Sequence, residues 1–183
     1  MASFEYWHSP LALLEDQFTD QVKALSFRSQ FNLRGNPEED RFNAWVKQTF
    51  GCDLAVDPNT VSGSDETKIL WLGPDEWLVV SSKEIALEDL PEGCHMACTD
   101  VSANRVIIEL NGPHVRDILS KCCELDFHPR VFGPGQAVQT LIAKSQAIVE
   151  QCDKDRFLIY VRNSFSLYVA EWLLEAAREY EMK

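Results

Sequence analysis

Hydrophobic and polar side chains alternate over much of the chain, and this alternation predicts β-strands. Leu25, Phe27, Phe31 and Leu33 lie on alternating positions and predict one half-buried strand over 23–34. Two apolar runs flank Gly73-Pro74-Asp75-Glu76 and predict a hairpin. Residues 53–66 read as a loop, with room for a brief strand. The remaining predicted strands cover 94–101, 105–110, 137–142, 147–151 and 157–161.

Helical spacing predicts three helices and two shorter segments. The first helix covers 37–50, where Asn36-Pro37 gives the start and Gly51 the stop. The second covers 112–122, because Val115, Ile118, Leu119 and Cys122 follow the i, i+3, i+4, i+7 pattern. The third covers 163–179. Short helical turns are predicted after Ser9-Pro10 and over 82–90.

The order of these elements repeats, since a strand, a helix and a hairpin occur in both halves of the chain. This order opens a split βαβ unit, in which the helices cover one face of a sheet. The predicted fold class is therefore α+β, with two ferredoxin-like (split βαβ) units packed together. The predicted domains are a βαββ unit at 1–91 and a βαβββα unit at 92–183, or one compact domain, because Pro91-Glu92-Gly93 does not resemble a flexible linker.

Charge narrows the classes of partner. The 183 residues carry 29 acidic and 17 basic side chains, a formal net charge of −12. Residues 1–91 account for −9 and residues 92–183 for −3. This acidic balance argues against nucleic acid and against anionic membranes. It leaves two explanations, which are solubility and an acidic face that meets a basic partner.

Several features predict a cytoplasmic protein. The first twenty residues lack the basic end and apolar run of a signal peptide. No apolar stretch approaches the ~18–20 residues of a membrane span. Six scattered cysteines in a chain large enough to bury a core predict reduced thiols rather than a disulfide framework.

Cys94, His95 and Cys98 form the nearest approach to a metal site. The two cysteines have C-x3-C spacing, and the only other cysteine cluster in the sequence is the adjacent pair Cys122-Cys123. A closed zinc site usually takes two properly spaced pairs of ligands. In a strand the first and last of the three positions share a face, where a free cysteine behaves as a small hydrophobe. A thiol or zinc protein built on these three residues stays an alternative hypothesis.

Other chemistry has no local support. His8, His95, His114 and His128 show no motif that joins them to a cysteine nucleophile, and Gly133-Pro134-Gly135 lacks the third glycine of a dinucleotide loop. Asp75-Glu76 and Glu38-Glu39-Asp40 fit a turn and a first helical turn. The five tryptophans are predicted to be core residues, and any tryptophan that is exposed would indicate an interface. The sequence thus predicts no catalytic, cofactor-binding or metal residue in this chain.

Six ordered motifs resemble the gamma subunit family of heterotetrameric sarcosine oxidase, from about residue 9 to residue 177. They are Leu72-Gly-Pro-Asp-Glu-Trp-Leu78, Asp100-Val-Ser-Ala-Asn-Arg105, Leu110-Asn-Gly-Pro-His-Val-Arg-Asp-Ile-Leu119, Leu125-Asp-Phe-His-Pro129, Phe132-Gly-Pro-Gly135 and 157–172.

The C-terminal half is more distantly similar to the T-protein of the glycine cleavage system, a folate-binding aminomethyltransferase. The two differ at the hairpin around residues 145–150, where that family carries paired glycines and then paired aspartates. Val149 stands where the family's catalytic carboxylate is expected.

The resemblance implies a T-protein-like fold and a complex that oxidises sarcosine to glycine and transfers the one-carbon unit to tetrahydrofolate. It implies FAD, FMN, NAD, tetrahydrofolate and zinc in the other subunits, none in this chain, and alpha, beta and delta subunits as partners. The resulting hypothesis is a non-catalytic gamma subunit. The alternative is a stand-alone folate-dependent one-carbon transferase or folate-binding protein.

Overall fold

The computed structural model of the protein describes residues 7–87 and 89–181, and these residues separate into two compact units. The first unit contains residue 7 and residues 27–103, and the second contains residues 8–26 and 104–181. None of the helices among the described residues is long and apolar enough to cross a membrane.

The described residues form ten strands and three α-helices. The strands are β1 Val22–Ala24, β2 Ser29–Arg34, β3 Val61–Gly63, β4 Thr67–Gly73, β5 Glu76–Ser81, β6 Ala97–Asp100, β7 Arg105–Asn111, β8 Gln136–Ile142, β9 Ser145–Asp153 and β10 Arg156–Arg162. The helices are α1 Asp40–Phe50, α2 Val115–Cys122 and α3 Ser166–Glu181, and 3-10 turns cover Pro10–Gln17 and Asn163–Phe165.

The first unit is a five-stranded antiparallel sheet in the order β3-β4-β5-β2-β6, with α1 on one face. β2 and β4 run parallel to each other with β5 between them, which is the split βαβ arrangement. Phe42, Trp45 and Val46 of α1 are buried in one core cluster with Phe31 and Leu33 of β2. The helix ends where Gly51 adopts the left-handed conformation at φ 75°.

The second unit repeats the plan with the strand order β1-β7-β10-β9-β8, and its neighbouring strands are also antiparallel. Here β7 and β9 are parallel with β10 between them. The buried stripe of α2 follows the predicted spacing through Val115, Ile118, Leu119 and Cys122. Val22 of β1 lies opposite Leu110 of β7, so the N-terminal segment supplies the edge strand of this sheet.

The α+β class is confirmed, as are both hairpins, the three helices and a brief strand within 53–66. The single strand predicted over 23–34 is wrong. β1 pairs with β7 in one sheet, whereas β2 pairs with β5 and β6 in the other. Leu25 and Phe27 lie in the segment between the two strands, and their alternation with Phe31 and Leu33 carries no information about which strand each segment pairs with.

Two helix predictions also need correction. The helical turns predicted over 82–90 do not form in residues 82–87 and 89–90, where the described backbone is irregular. The helix predicted to begin at Pro37 begins at Asp40. The Asn36 side chain accepts a hydrogen bond from the Glu38 amide at 3.0 Å, so it closes a local turn ahead of the helix instead of capping it.

The division into units differs from the boundary predicted near residues 91–93. β6 lies beyond that boundary and pairs with β2 of the first unit, through Leu33 opposite Cys98. Residues 8–26 belong to the second unit. The first unit therefore takes its last strand from beyond the predicted boundary, and the second takes its edge strand from the N-terminal segment.

Candidate functional site

The acidic pair Asp75-Glu76 closes the β4–β5 hairpin and is held by partners on β2. Arg34 contacts both carboxylates, with Nη2 at 2.9 Å from Asp75 Oδ2 and Nη1 at 3.4 Å from Glu76 Oε2. Asn32 Nδ2 donates to Glu76 Oε1 at 2.7 Å. The hydrogen bond and charge of Asp75 raise the pKa of Arg34. This motif therefore positions a turn rather than two free carboxylates.

The Asp-x-Ser motif is also structural. Ser102 is buried, and its Oγ accepts a hydrogen bond from the Gln30 amide at 2.9 Å. Asp100 Oδ1 accepts bonds from the Ser102 amide at 2.9 Å and from its hydroxyl at 2.5 Å. These contacts tie the turn after β6 to the start of β2, so Asp100 and Ser102 hold the backbone in place.

The candidate metal residues separate onto two sides of their segment. Cys94, Met96 and Cys98 are partly buried against the core cluster of the first unit, whereas His95 is exposed. Burial, with Asp100 nearby, raises the pKa of Cys98 to about 12, which keeps this thiol protonated. Among the described residues there is no group of three or more His, Cys, Asp and Glu side chains that could hold a metal ion.

The motifs of the second unit shape its loops. Gly112 has φ 122° and its amide donates to the Asp155 carbonyl at 2.9 Å, which fixes the turn between β7 and α2. His114 stacks on Tyr180 with ring centroids 4.5 Å apart, and His128 Nδ1 accepts from the Arg130 amide at 3.2 Å. His128 thus satisfies a loop backbone group, and His8 is exposed.

The position expected to hold the folate family's carboxylate has no polar group to offer. Val149 is fully buried in β9. The neighbouring Glu150 is only 3% exposed, and its carboxyl accepts hydrogen bonds from the Tyr160 hydroxyl and, at 3.2 Å, from Cys152 Sγ. Because that carboxyl is buried and already partnered, the described residues do not fit folate chemistry at this hairpin.

A second feature of this sheet, which the sequence did not reveal, is a pair of arginines. Arg105 begins β7 and Arg162 ends β10, and the two residues lie directly opposite each other in the ladder. Both line a cavity of about 320 Å³ together with Tyr160. They are 57 positions apart in the sequence, and only the strand register brings them together.

An aromatic surface follows the start of α3 and consists of Phe165, Tyr168 and Trp172. Tyr168 and Trp172 are four residues apart on one side of α3, and Phe165 ends the 3-10 turn that leads directly into the helix. Phe165 is 49% and Trp172 47% exposed, and the rings of Tyr168 and Trp172 meet edge to face at 6.4 Å. The core position predicted for Trp172 is therefore wrong, whereas the other tryptophans are buried or half-buried.

The two-sheet fold indicates the class of protein to which the chain is similar. Two sheets of the split βαβ type resemble the glycine cleavage system aminomethyltransferase T from Bartonella henselae, with a TM-score of 0.61 over 92% of this chain and 50% of that chain. At 14% identity this likeness concerns the fold alone. The chain thus has a T-protein-like α+β fold, with Val149 at the position where the T-protein family's catalytic carboxylate is expected.

A family model and several relatives of higher sequence identity identify the family of this chain. The model of the "Sarcosine oxidase, gamma subunit family" matches residues 34–179, and the chain belongs to that family. It is 32% identical to the sarcosine oxidase subunit gamma of Corynebacterium sp. (strain P-1), over 88% of this chain and 82% of the relative. It superposes with a TM-score of 0.86 and 29% identity on a chain of the heterotetrameric sarcosine oxidase from Corynebacterium sp. U-96 in complex with pyrrole 2-carboxylate, covering 97% of both chains.

Proposed function

We propose that this chain is the non-catalytic gamma subunit of a heterotetrameric sarcosine oxidase. The observation that carries the proposal is its membership of the gamma subunit family, combined with a fold that matches a chain of a heterotetrameric relative over nearly its full length. The motifs that mark the family support a structural role, because Asp75, Asp100, Ser102 and Gly112 all hold turns.

The reaction belongs to the other subunits in this proposal. The complex oxidatively demethylates sarcosine to glycine and passes the one-carbon unit to tetrahydrofolate. FAD, FMN, NAD, tetrahydrofolate and zinc are bound outside this chain, by the alpha, beta and delta subunits. The assembly works in the cytoplasm.

The aromatic surface of α3 is the contact with another subunit. Tryptophan and other aromatic side chains are enriched at the energetic centres of protein interfaces. Phe165 and Trp172 each leave about half of their side chain uncovered in the chain by itself. Burying these rings against an apolar patch of a partner subunit would supply the hydrophobic part of the binding energy.

The acidic residues of 1–91 give the assembly an electrostatic component. Their net charge of −9 favours docking of this segment near a basic surface of a partner subunit. Electrostatic attraction mainly accelerates association and selects the partner, whereas the aromatic surface of α3 holds the complex together.

Co-expression with the three other subunits tests the proposal. We expect the chain to elute with them in a flavin-containing complex at one copy per complex. The complex expressed without this chain should assemble poorly or lose sarcosine oxidase activity. A chain that elutes alone as a stable monomer and transfers one-carbon units with tetrahydrofolate would overturn the proposal and support a stand-alone transferase.

A further inference from the structure

Two exposed cations lie at one end of the sheet of the second unit. Lys144 is in the turn between β8 and β9, and Arg162 ends β10. Neither side chain forms an ion pair with any other described residue. Lys47 and Arg178 are equally exposed, yet each pairs with a carboxylate of this chain. The described part of the chain therefore leaves the charges of Lys144 and Arg162 without a counter-ion of its own.

The strand register brings two neutral exposed side chains to the same place. Leu141 of β8 lies opposite Gln146 of β9, and Val161 of β10 lies opposite Ala147, so Arg162 follows beside Gln146. Leu141 is 52% exposed and Gln146 is exposed too. The residues that line the cavity of about 320 Å³ at this place include no carboxylate. This surface is called the basic sheet end and consists of Leu141, Lys144, Gln146 and Arg162.

The basic sheet end adjoins the aromatic surface of α3. The 3-10 turn Asn163–Phe165 follows β10 directly, so Phe165 is only three residues from Arg162. Three residues span at most ~10–11 Å even when fully extended, and a 3-10 turn is shorter. The two surfaces therefore meet where β10 passes into α3, with exposed rings on one side and positive charge on the other.

We propose that the partner subunit that covers the aromatic surface of α3 also covers the basic sheet end. It would present carboxylates to Lys144 and Arg162 and an apolar side chain to Leu141. Protein interfaces combine an apolar centre with a polar rim, and charges at the rim select and orient the partner. This inference rests on the proposed function and adds to it the acidic character of the partner at this border.

Charge reversal tests the inference. The labelled full-length chain is titrated with the complex of the other subunits, and fluorescence anisotropy gives the dissociation constant. Lys144→Glu and Arg162→Glu should each raise it about tenfold or more, because an attraction becomes a like-charge contact. Lys154→Glu is the matched control, since Lys154 is an exposed lysine in the turn at the opposite end of the same sheet and its reversal changes the net charge equally. Circular dichroism checks that all three variants are folded.

Carbodiimide cross-linking of the complex locates the carboxylates of the partner. This reagent joins a lysine amine to an adjacent carboxylate as an amide and takes up the water that is lost. Peptide mass spectrometry should find Lys144, and not Lys154, joined to an Asp or Glu of another subunit.

The failure of this inference differs from the failure of the proposed function. If the unmodified chain joins the complex but Lys144→Glu and Arg162→Glu bind as Lys154→Glu does, the inference is wrong and the proposed function stands. The same conclusion follows if Lys144 forms no link to another subunit. A chain that does not join the complex overturns both.

Discussion

Replacing Trp172 by Ala should weaken assembly of the chain with its partner subunits by about 60-fold. A tryptophan buries ~150–250 Å² in all, and 47% of Trp172 is exposed, which leaves roughly 100 Å² for a partner to cover. At ~25 cal/mol per Å² this area corresponds to about 2.5 kcal/mol. Each 1.4 kcal/mol changes a dissociation constant about tenfold, hence the expected factor.

Fluorescence anisotropy with the labelled full-length chain, titrated with the complex of the other subunits, measures this dissociation constant directly. Leu125→Ala is the control, because Leu125 is 40% exposed in a loop of the same unit but lies outside the aromatic surface of α3. Thermal unfolding of both variants verifies that the chains stay folded at the assay temperature. An unchanged dissociation constant for Trp172→Ala, or a larger effect of Leu125→Ala, would refute the assignment of this surface.

Stability, thiol reactivity and salt dependence provide further tests. Tyr160→Phe removes the hydroxyl donated to the buried Glu150 carboxyl, so unfolding should cost about 1.5–3 kcal/mol less and calorimetry should show a Tm roughly 3–12 °C lower. An unchanged Tm would contradict this. Burial raises the pKa of Cys98 to about 12 and of Cys122 to about 11, so labelling of these two thiols in the native chain, followed by peptide mass spectrometry, should stay slow at pH 8 and accelerate as the pH rises above 9. Rapid labelling of Cys98 or Cys122 at pH 8 would contradict this prediction. If the acidic segment 1–91 docks on a basic surface, the association rate with the other subunits should fall as salt rises past 0.1 M, where the screening length is ~10 Å. A salt-independent association rate would show that the acidic charge serves solubility and not docking.

The elements predicted correctly are those whose ends carry their own local chemistry. Gly51 stops α1 because it adopts a left-handed conformation that few other residues tolerate. Gly73 and Pro74 mark the first hairpin, and Ala143 and Lys144 form the short turn of the second. Such signals act over a few residues, so the sequence alone reveals them.

Local sequence patterns do not predict the pairing between distant segments of the chain. No pattern within residues 22–34 predicts that Val22 lies opposite Leu110 and that Phe31 lies opposite Val79. The cavity has the same origin, since Arg105 and Arg162 become neighbours through the β7–β10 register. Long-range pairing depends on the packing of the whole sheet, which a local pattern does not encode.

Several residues of the motifs that mark the family hold turns. Asp75, Ser102 and Gly112 meet local demands for an ion pair, a buried hydrogen bond and a positive φ, so their presence reports the fold. Arg105 and Trp172 lie at the ends of two of the same motifs and close no turn. Arg105 lines the cavity of about 320 Å³, and Trp172 forms part of the aromatic surface of α3. Because Trp172 closes no turn, its substitution tests the proposed contact with a partner subunit separately from the folding of the chain.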